Sequence, residues 1–302
     1  MKEEKIIRLF TKSNKNFSND DCEILPVKKN YISIITGDSL IENVHFKLDW
    51  HSPKDLAKKL FQVNLSDIIS SGGVPFWCLL QIGLPKLISN DFLYKFSESF
   101  LKECKQFNTT LIGGDTFRSQ ILVLSLTMGG YTKKYIPRKS KPNSYIYATG
   151  HFGLSLLGYK ILNKELQLPK SLKKIAIKRH LAPKARIDIA KKIYPFASSM
   201  MDISDGLVQD LTKMAKASGF QFIIRVEKIP IHKNFKKYIN YEMAIASGEE
   251  YELVFTSNKK IKLPFITEIG YVTNKKPSKK EPIVKFLLEN QEIFPKKGFE
   301  HF

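Results

Sequence analysis

Apolar and polar positions alternate from Tyr31 to Thr36, a run rich in β-branched residues that predicts a strand ending at Gly37-Asp38, with a carboxylate at its C-terminal edge. From Ser52 the period lengthens. Ser52 as N-cap, Pro53 at N1, Asp55 at N3 and a stop at Gly72-Gly73 before Pro75 predict a helix from 53 to 71. A second helix is expected from Asn90 as cap, where Phe92, Phe96, Phe100, Cys104 and Phe107 recur at helical spacing and read as core. A short run from Thr109 to Ile112, a turn at Gly113-Gly114-Asp115 and a strand-like run from Ile121 to Thr127 follow. The stretch from Tyr131 to Ser144, basic and with two prolines, reads as a connector, so a boundary is expected near residue 136, dividing 1–135 from 136–302. Beyond it lie a strand at 145–149, a glycine-flanked turn at 150–153 opening a helix, and helices near 173–180 and 183–193. A further helix is expected from Ser204 or Asp205 to Ser218, with β-rich runs at 221–226 and 251–256. Mixed elements in both halves predict an α/β (α+β) protein of two domains.

Composition narrows the classes. With 302 residues, 43% of them hydrophobic, the chain can bury one large or two ordinary cores. Its longest apolar runs, 76–84 and 121–131, fall short of the roughly 20 residues that span a membrane. Met1 to Lys12 lacks the apolar region of a signal peptide, so a cytoplasmic location is expected. Three cysteines without a C-x-x-C and six histidines without an H-x-x-x-H argue against a disulfide framework and against zinc. The net charge of +20 favours any polyanion without choosing among them. Its lysine tracts read as solvated faces, none carries an RNA-binding or helix-turn-helix signature, and nucleic acid is not an expected partner.

The carboxylates need more explanation. Leu56, Leu60, Val63 and Asp67 fall at i, i+4, i+7 and i+11, which sets Asp67 within about 20° of Leu56 on the apolar face of the first helix. Burying an unpaired carboxylate costs several kcal/mol, so Asp67 needs a cation, a metal or backbone donors, and Asn64 lies one turn earlier on the same side. Asp202 and Asp205 flank a helix N-terminus, where free N–H groups favour negative charge. Gly113-Gly114-Asp115-Thr116 and Gly248-Glu249-Glu250-Tyr251 join small residues to acids beside predicted strands. The common nucleotide loops G-x-x-x-x-G-K-[ST] and G-x-G-x-x-G are absent from the sequence. Acids at element ends in a basic chain suit Mg²⁺ bridging carboxylates to phosphate oxygens, which points to nucleotide chemistry.

Taken in order, six motifs become specific: Asn19-Asp20-Asp21-Cys22; Thr36-Gly37-Asp38-Ser39-Leu40 with Val44-His45-Phe46; Val63-Asn64-Leu65-Ser66-Asp67; Gly113-Gly114-Asp115-Thr116; Asp202 to Leu207; and Ser247 to Leu253. In order and spacing the chain resembles the thiamine-monophosphate kinase family from about residue 18 to its C-terminal Gly298-Phe299-Glu300-His301-Phe302. The resemblance implies the fold of aminoimidazole ribonucleotide synthetase, with N-terminal and C-terminal domains of that type. It implies a homodimer formed through the N-terminal domain, and ATP-dependent conversion of thiamine monophosphate to thiamine diphosphate by direct in-line transfer. By motif, Asp21, Thr36, Gly37, Asp38, Asp67, Asp115 and Asp202 would hold several Mg²⁺ ions, and Asp205 a peripheral one. Asp38, Asp67, Asp115 and Asp202 would carry catalysis; Gly114, Asp115, Arg138 and Ser204 would touch ATP; His45, Glu249 and Phe294 would contact thiamine monophosphate. The sequence departs from the family at Asn19, at Gly37 where a hydroxyl residue is usual, and at Phe294-Pro295-Lys296-Lys297 where the family has a ring-contacting tryptophan. The alternatives are another ATP-dependent enzyme of the superfamily, such as a selenophosphate or purine-pathway synthetase, and a non-catalytic basic module. His45 with Glu249 speaks for the kinase.

Overall fold

A computed structural model describes residues 22–26, 30–278, 281–295 and 298. Five strands form the first sheet: β1 (Glu23–Pro26), β2 (Ile32–Ile41), β3 (Val74–Leu84), β4 (Thr110–Arg118) and β5 (Val123–Thr132), in the order β1-β2-β5-β3-β4. β3 and β4 are parallel, joined by the crossover helix α2 (Asn90–Gln106), and the other pairs are antiparallel. α1 (Pro53–Ser70) lies between β2 and β3 in sequence and packs against β2 and β5. Its start is as expected, since Ser52 Oγ accepts from Asp55 N and Pro53 opens the first turn.

The second sheet has seven strands in the order β12-β11-β8-β10-β6-β9-β7. These are β6 (Tyr145–Thr149), β7 (Ser199–Asp202), β8 (Phe222–Arg225), β9 (Leu253–Ser257), β10 (Ile266–Val272), β11 (Val284–Leu288) and β12 (Gln291–Ile293). Its helices are α3 (Leu154–Leu162), α4 (Lys170–Leu181), α5 (Ile187–Ile193), α6 (Leu207–Ser218) and α7 (Tyr241–Ala246). Side chains alternate across a strand, so a strand buried on both faces feeds two cores. Tyr147, Met200, Leu253 and Phe255 point into a core that also holds Leu56, Leu60, Phe61 and Leu65 of α1. Their neighbours Ile146, Ala148, Met201 and Val254 point into a second core with α3 and α6. The helix α1 is therefore wrapped by both halves, and 13 of its 18 residues are buried, polar ones included. No helix among the described residues is long and apolar enough to cross a membrane.

Four local expectations are corrected. β2 does not stop at Gly37-Asp38 but runs to Ile41, so Asp38 stands within a strand. Gly113-Gly114-Asp115 is not a turn but part of β4, directly after a bulge at Ile112 that opposes the Cys78-Leu79 step. A Cβ on Gly114 would collide with the Leu80 carbonyl, so glycine serves close strand approach rather than reversal. The cap of α2 is Ser89, whose hydroxyl accepts from Phe92 N at 3.1 Å, and Asn90 is already in the helix. α6 starts at Leu207, after a left-handed Gly206, rather than at Ser204 or Asp205.

Candidate active site

The acids gather where α1 ends between the two sheets. Asp67, on the face the helical period assigned to it, accepts from Thr36 Oγ1 at 2.6 Å through Oδ2, which ties the helix to β2. One turn earlier, Asn64 Oδ1 accepts from Asp38 N at 3.0 Å, while its amide donates to Leu60 O. Cys22 Sγ donates to the Asp67 carbonyl at 3.5 Å, which seats Cys22 against this corner, and Asp21 lies outside the described residues. From the other half, Asp202 ends β7 at 2% exposure.

Backbone hydrogen bonds lace the segment after Asp202 to the Glu-Glu-Tyr-Glu segment: Glu249 N to Ser204 O, Tyr251 N to Ile203 O, and Ile203 N to Glu252 O. Glu249 and Tyr251 both take positive φ, at 55° and 49°, so the chain coils here and aims successive side chains in different directions. Burial pushes the Tyr251 hydroxyl well above its ordinary range, and the negative charges of Glu249, Asp38, Asp202 and Asp67 push it further. Four carboxylates drawn from β2, α1, β7 and this coil thus bear on one buried phenol.

Glu249 has a setting of its own. Its carboxylate pairs with Lys59 Nζ at 2.6 Å and faces His180 Nδ1 at 3.3 Å. Burial opposes its ionisation, yet Lys59 and His180 hold it below its ordinary value. Lys59 Nζ also donates to the His45 carbonyl at 3.1 Å, and His45 Nδ1 accepts from Ile41 N. Burial lowers His51 to about 3 and His180 to about 4, the Lys59 charge adding to both, so these imidazoles are neutral at pH 7. Trp50 flanks the group, 5.8 Å from the Tyr159 ring and 6.5 Å from that of His180.

The next two acids of the motif serve the fold. Glu250 Oε1 accepts from Gly153 N, Ser155 N and Ser247 Oγ, supplying the acceptor that the start of α3 lacks locally. Glu252 binds Arg179 at 2.6 Å, Arg186, and Thr149 Oγ1 at 2.7 Å.

Lys213 Nζ meets Asp205 Oδ2 at 2.5 Å and Asp210 Oδ1 at 3.1 Å. Asp210 Oδ2 in turn accepts from the amides of Ser204 and Asp205, so that anion position is filled from within. Asp115 is not among the gathered acids. It pairs in register with Gln81, Ser125 and Ser39, on the sheet face opposite the row of Asp38, Leu126, Leu80 and Gly114. It is also three strand spacings from β2, roughly 14 Å. Phe294 stands 84% exposed beyond β12. Arg138 is half-buried in the connector, and Gly298 returns against the carbonyls of Asp205 and Ala246.

Sequence reasoning missed Lys59, His180, Trp50 and the Arg179–Glu252 pair. The signal for Lys59 was present: it follows Leu56 by three residues and precedes Leu60, a charge inside the apolar stripe. Trp50 is one of only two tryptophans.

Two α/β halves meeting over an acid-lined corner match two family descriptions in series, AIR synthase related protein, N-terminal domain, over residues 19–132 and its C-terminal domain over 141–281. The fold is that of the AIR synthase related class. Thiamine-monophosphate kinase of Leptospira interrogans is 38% identical, over 100% of this chain and 98% of that protein. Among solved structures, AaThiL complexed with AMPPCP and TMP superposes with a TM-score of 0.89 at 30% identity, over 100% of this chain and 97% of that one. Thiamine monophosphate kinase from Aquifex aeolicus gives 0.83 at 31% identity, with 97% of each chain covered. The chain belongs to the thiamine-monophosphate kinase family.

Proposed function

We propose that the chain transfers the γ-phosphoryl group of ATP in line to the phosphate of thiamine monophosphate, yielding ADP and thiamine diphosphate. Asp38, Asp67 and Asp202 serve the reacting end, and His45 and Glu249 serve the acceptor. The observation that carries this reading is the corner built on α1, where Asp67 accepts from Thr36 Oγ1, Asn64 accepts from Asp38 N, and Lys59 pairs with Glu249 of the other half. The acceptor oxygen is already anionic near neutral pH, so no side chain has to remove a proton from it. What remains for the protein is to align two anions that repel. His45 and Glu249 orient the acceptor. Ser204, Gly114 and the Arg138 guanidinium contact ATP, the last offsetting phosphate charge.

The same corner, with Thr36, Gly37, Asp38, Asp67 and Asp202, fits Mg²⁺, and we assign Asp21 to it by its motif alone. The carboxylates, the Thr36 hydroxyl and the Gly37 carbonyl are all oxygen donors, as Mg²⁺ prefers. Among the described residues no three His, Cys, Asp or Glu side chains are grouped so as to hold a metal ion by themselves, so waters and phosphate oxygens would have to complete its coordination. When bound, Mg²⁺ supplies charge neutralisation at the transferred phosphoryl group.

We place the enzyme in the cytoplasm, where ATP is available, and divide it near residue 136, in the connector between β5 and β6. A homodimer through the first sheet accounts for its outer surface. Every residue of β4 is exposed, as are Phe76 and Ile112, both at 57%. The activity is tested by incubating purified protein with ATP, Mg²⁺ and thiamine monophosphate and separating the products. Thiamine diphosphate and ADP are expected in equal amounts; ATP binding without thiamine diphosphate would mean that the acceptor is another molecule.

A further inference from the structure

Lys59 is a lysine with no side-chain exposure, in the middle of a helix that both halves enclose. Burying an ammonium is costly unless it is paired and its protons are used. Here it has two partners of different origin: the carbonyl of His45, in the loop leaving β2, and the carboxylate of Glu249, in the coil before β9. These are the two residues read above as acceptor contacts, and they come from opposite halves of the chain. An ammonium has three donors that can point to separate neighbours, which a carboxylate partner alone would not require.

We infer that Lys59 is the positioning residue of the acceptor site, its single ammonium fixing the spacing between the His45 loop and the Glu249 carboxylate. The inference rests on the reading of His45 and Glu249 as acceptor contacts. The other groups facing this carboxylate cannot replace Lys59: His180 and His51 are kept neutral by burial, and Tyr251 is a phenol held in its protonated form. Lys59 touches no reacting atom. It acts through the two residues it holds, so its loss is felt in acceptor binding rather than in the handling of ATP.

The test is steady-state kinetics on the full-length enzyme, varying thiamine monophosphate and ATP in turn, for wild type, Lys59→Met, Glu249→Gln and the double variant. Lys59→Met is expected to raise KM for thiamine monophosphate at least tenfold while KM for ATP stays within twofold. Added to Glu249→Gln, it is expected to raise the acceptor KM at least threefold further, because the His45 loop then loses its tether as well. An acceptor KM that Lys59→Met leaves unmoved, or an ATP KM that rises alongside it, overturns the inference. If either single variant prevents folding, the double variant, which removes both members of the buried pair, is compared with wild type, and an acceptor KM within twofold of wild type overturns it. Wild-type protein that forms no thiamine diphosphate, or Glu249→Gln with an unchanged acceptor KM, would instead remove the reading on which the inference rests.

Discussion

Protonating His180 would set a second buried cation within reach of Lys59, and protonating His51 a third. Both folded-state values, about 4 and about 3, lie below the 6.5 of a free imidazole. The unfolded chain therefore binds more protons than the folded one below pH 6.5. The stabilisation is fully present above that pH and is lost as pH falls toward 4, by up to about 1.4 kcal/mol per pH unit for each histidine. Urea unfolding between pH 6.5 and 5, above most carboxylate titrations, should show this decline, and His180→Gln should remove close to half of its slope. An unchanged slope in the variant would refute the burial account. At Asp67, replacement by asparagine keeps the size and a hydrogen bond to Thr36 but removes the charge, so kcat should fall at least about 100-fold with an unchanged circular dichroism spectrum. Full activity in that variant would sink the assignment. Asp67 was legible from sequence because an acid on an apolar helical face is anomalous in one dimension. The Lys213–Asp205 pair was not, because it depends on how the chain turns at Gly206.

Among the elements, α3 and α4 pack through a glycine. A Cβ at Gly158 would run into the Ala176 carbonyl and crowd His180 Cβ at 3.0 Å. Alanine is the better helix former by about 1 kcal/mol, but overpacking costs about 1–3 kcal/mol, so the clash should win. Gly158→Ala is expected to lower the melting temperature by several degrees in calorimetry, and a raised one would show that α4 can shift without penalty. Because α4 carries Arg179 and His180, the same substitution should weaken acceptor binding. The helices α1 and α2 were readable because each combines a stripe with capping residues, the cap of α2 missing by one residue. β4 was misread because consecutive glycines signal a turn unless the carbonyl that crowds them, Leu80 on a neighbouring strand, is known.

On the scale of the molecule, the charge of +20 gave no guidance to the fold, whereas six motifs in register carried it, because ligand chemistry constrains spacing more tightly than surface charge does. The proposed dimer can be checked by sedimentation equilibrium at micromolar concentration. The wild type should sediment as a dimer, and Phe76→Lys, which sets a charge on the exposed apolar face, should shift it toward monomer. A monomeric wild type would reject the assembly.

The shared helix also has a consequence in time. Gln62 of α1 donates to Glu103 and accepts from Ala185 N, 123 residues farther along, and Tyr194 reaches the Ile69 carbonyl across 125. Lys59 needs a carboxylate that is made later still. At ribosomal rates of about 5–20 residues per second, α1 emerges roughly 6 to 25 s before Ala185 and Tyr194 exist. The first half of the nascent chain can pair its strands in that interval, yet it holds a helix with buried charge and apolar surface uncovered until the second half arrives. The site and the last step of folding are completed together, by the same residues.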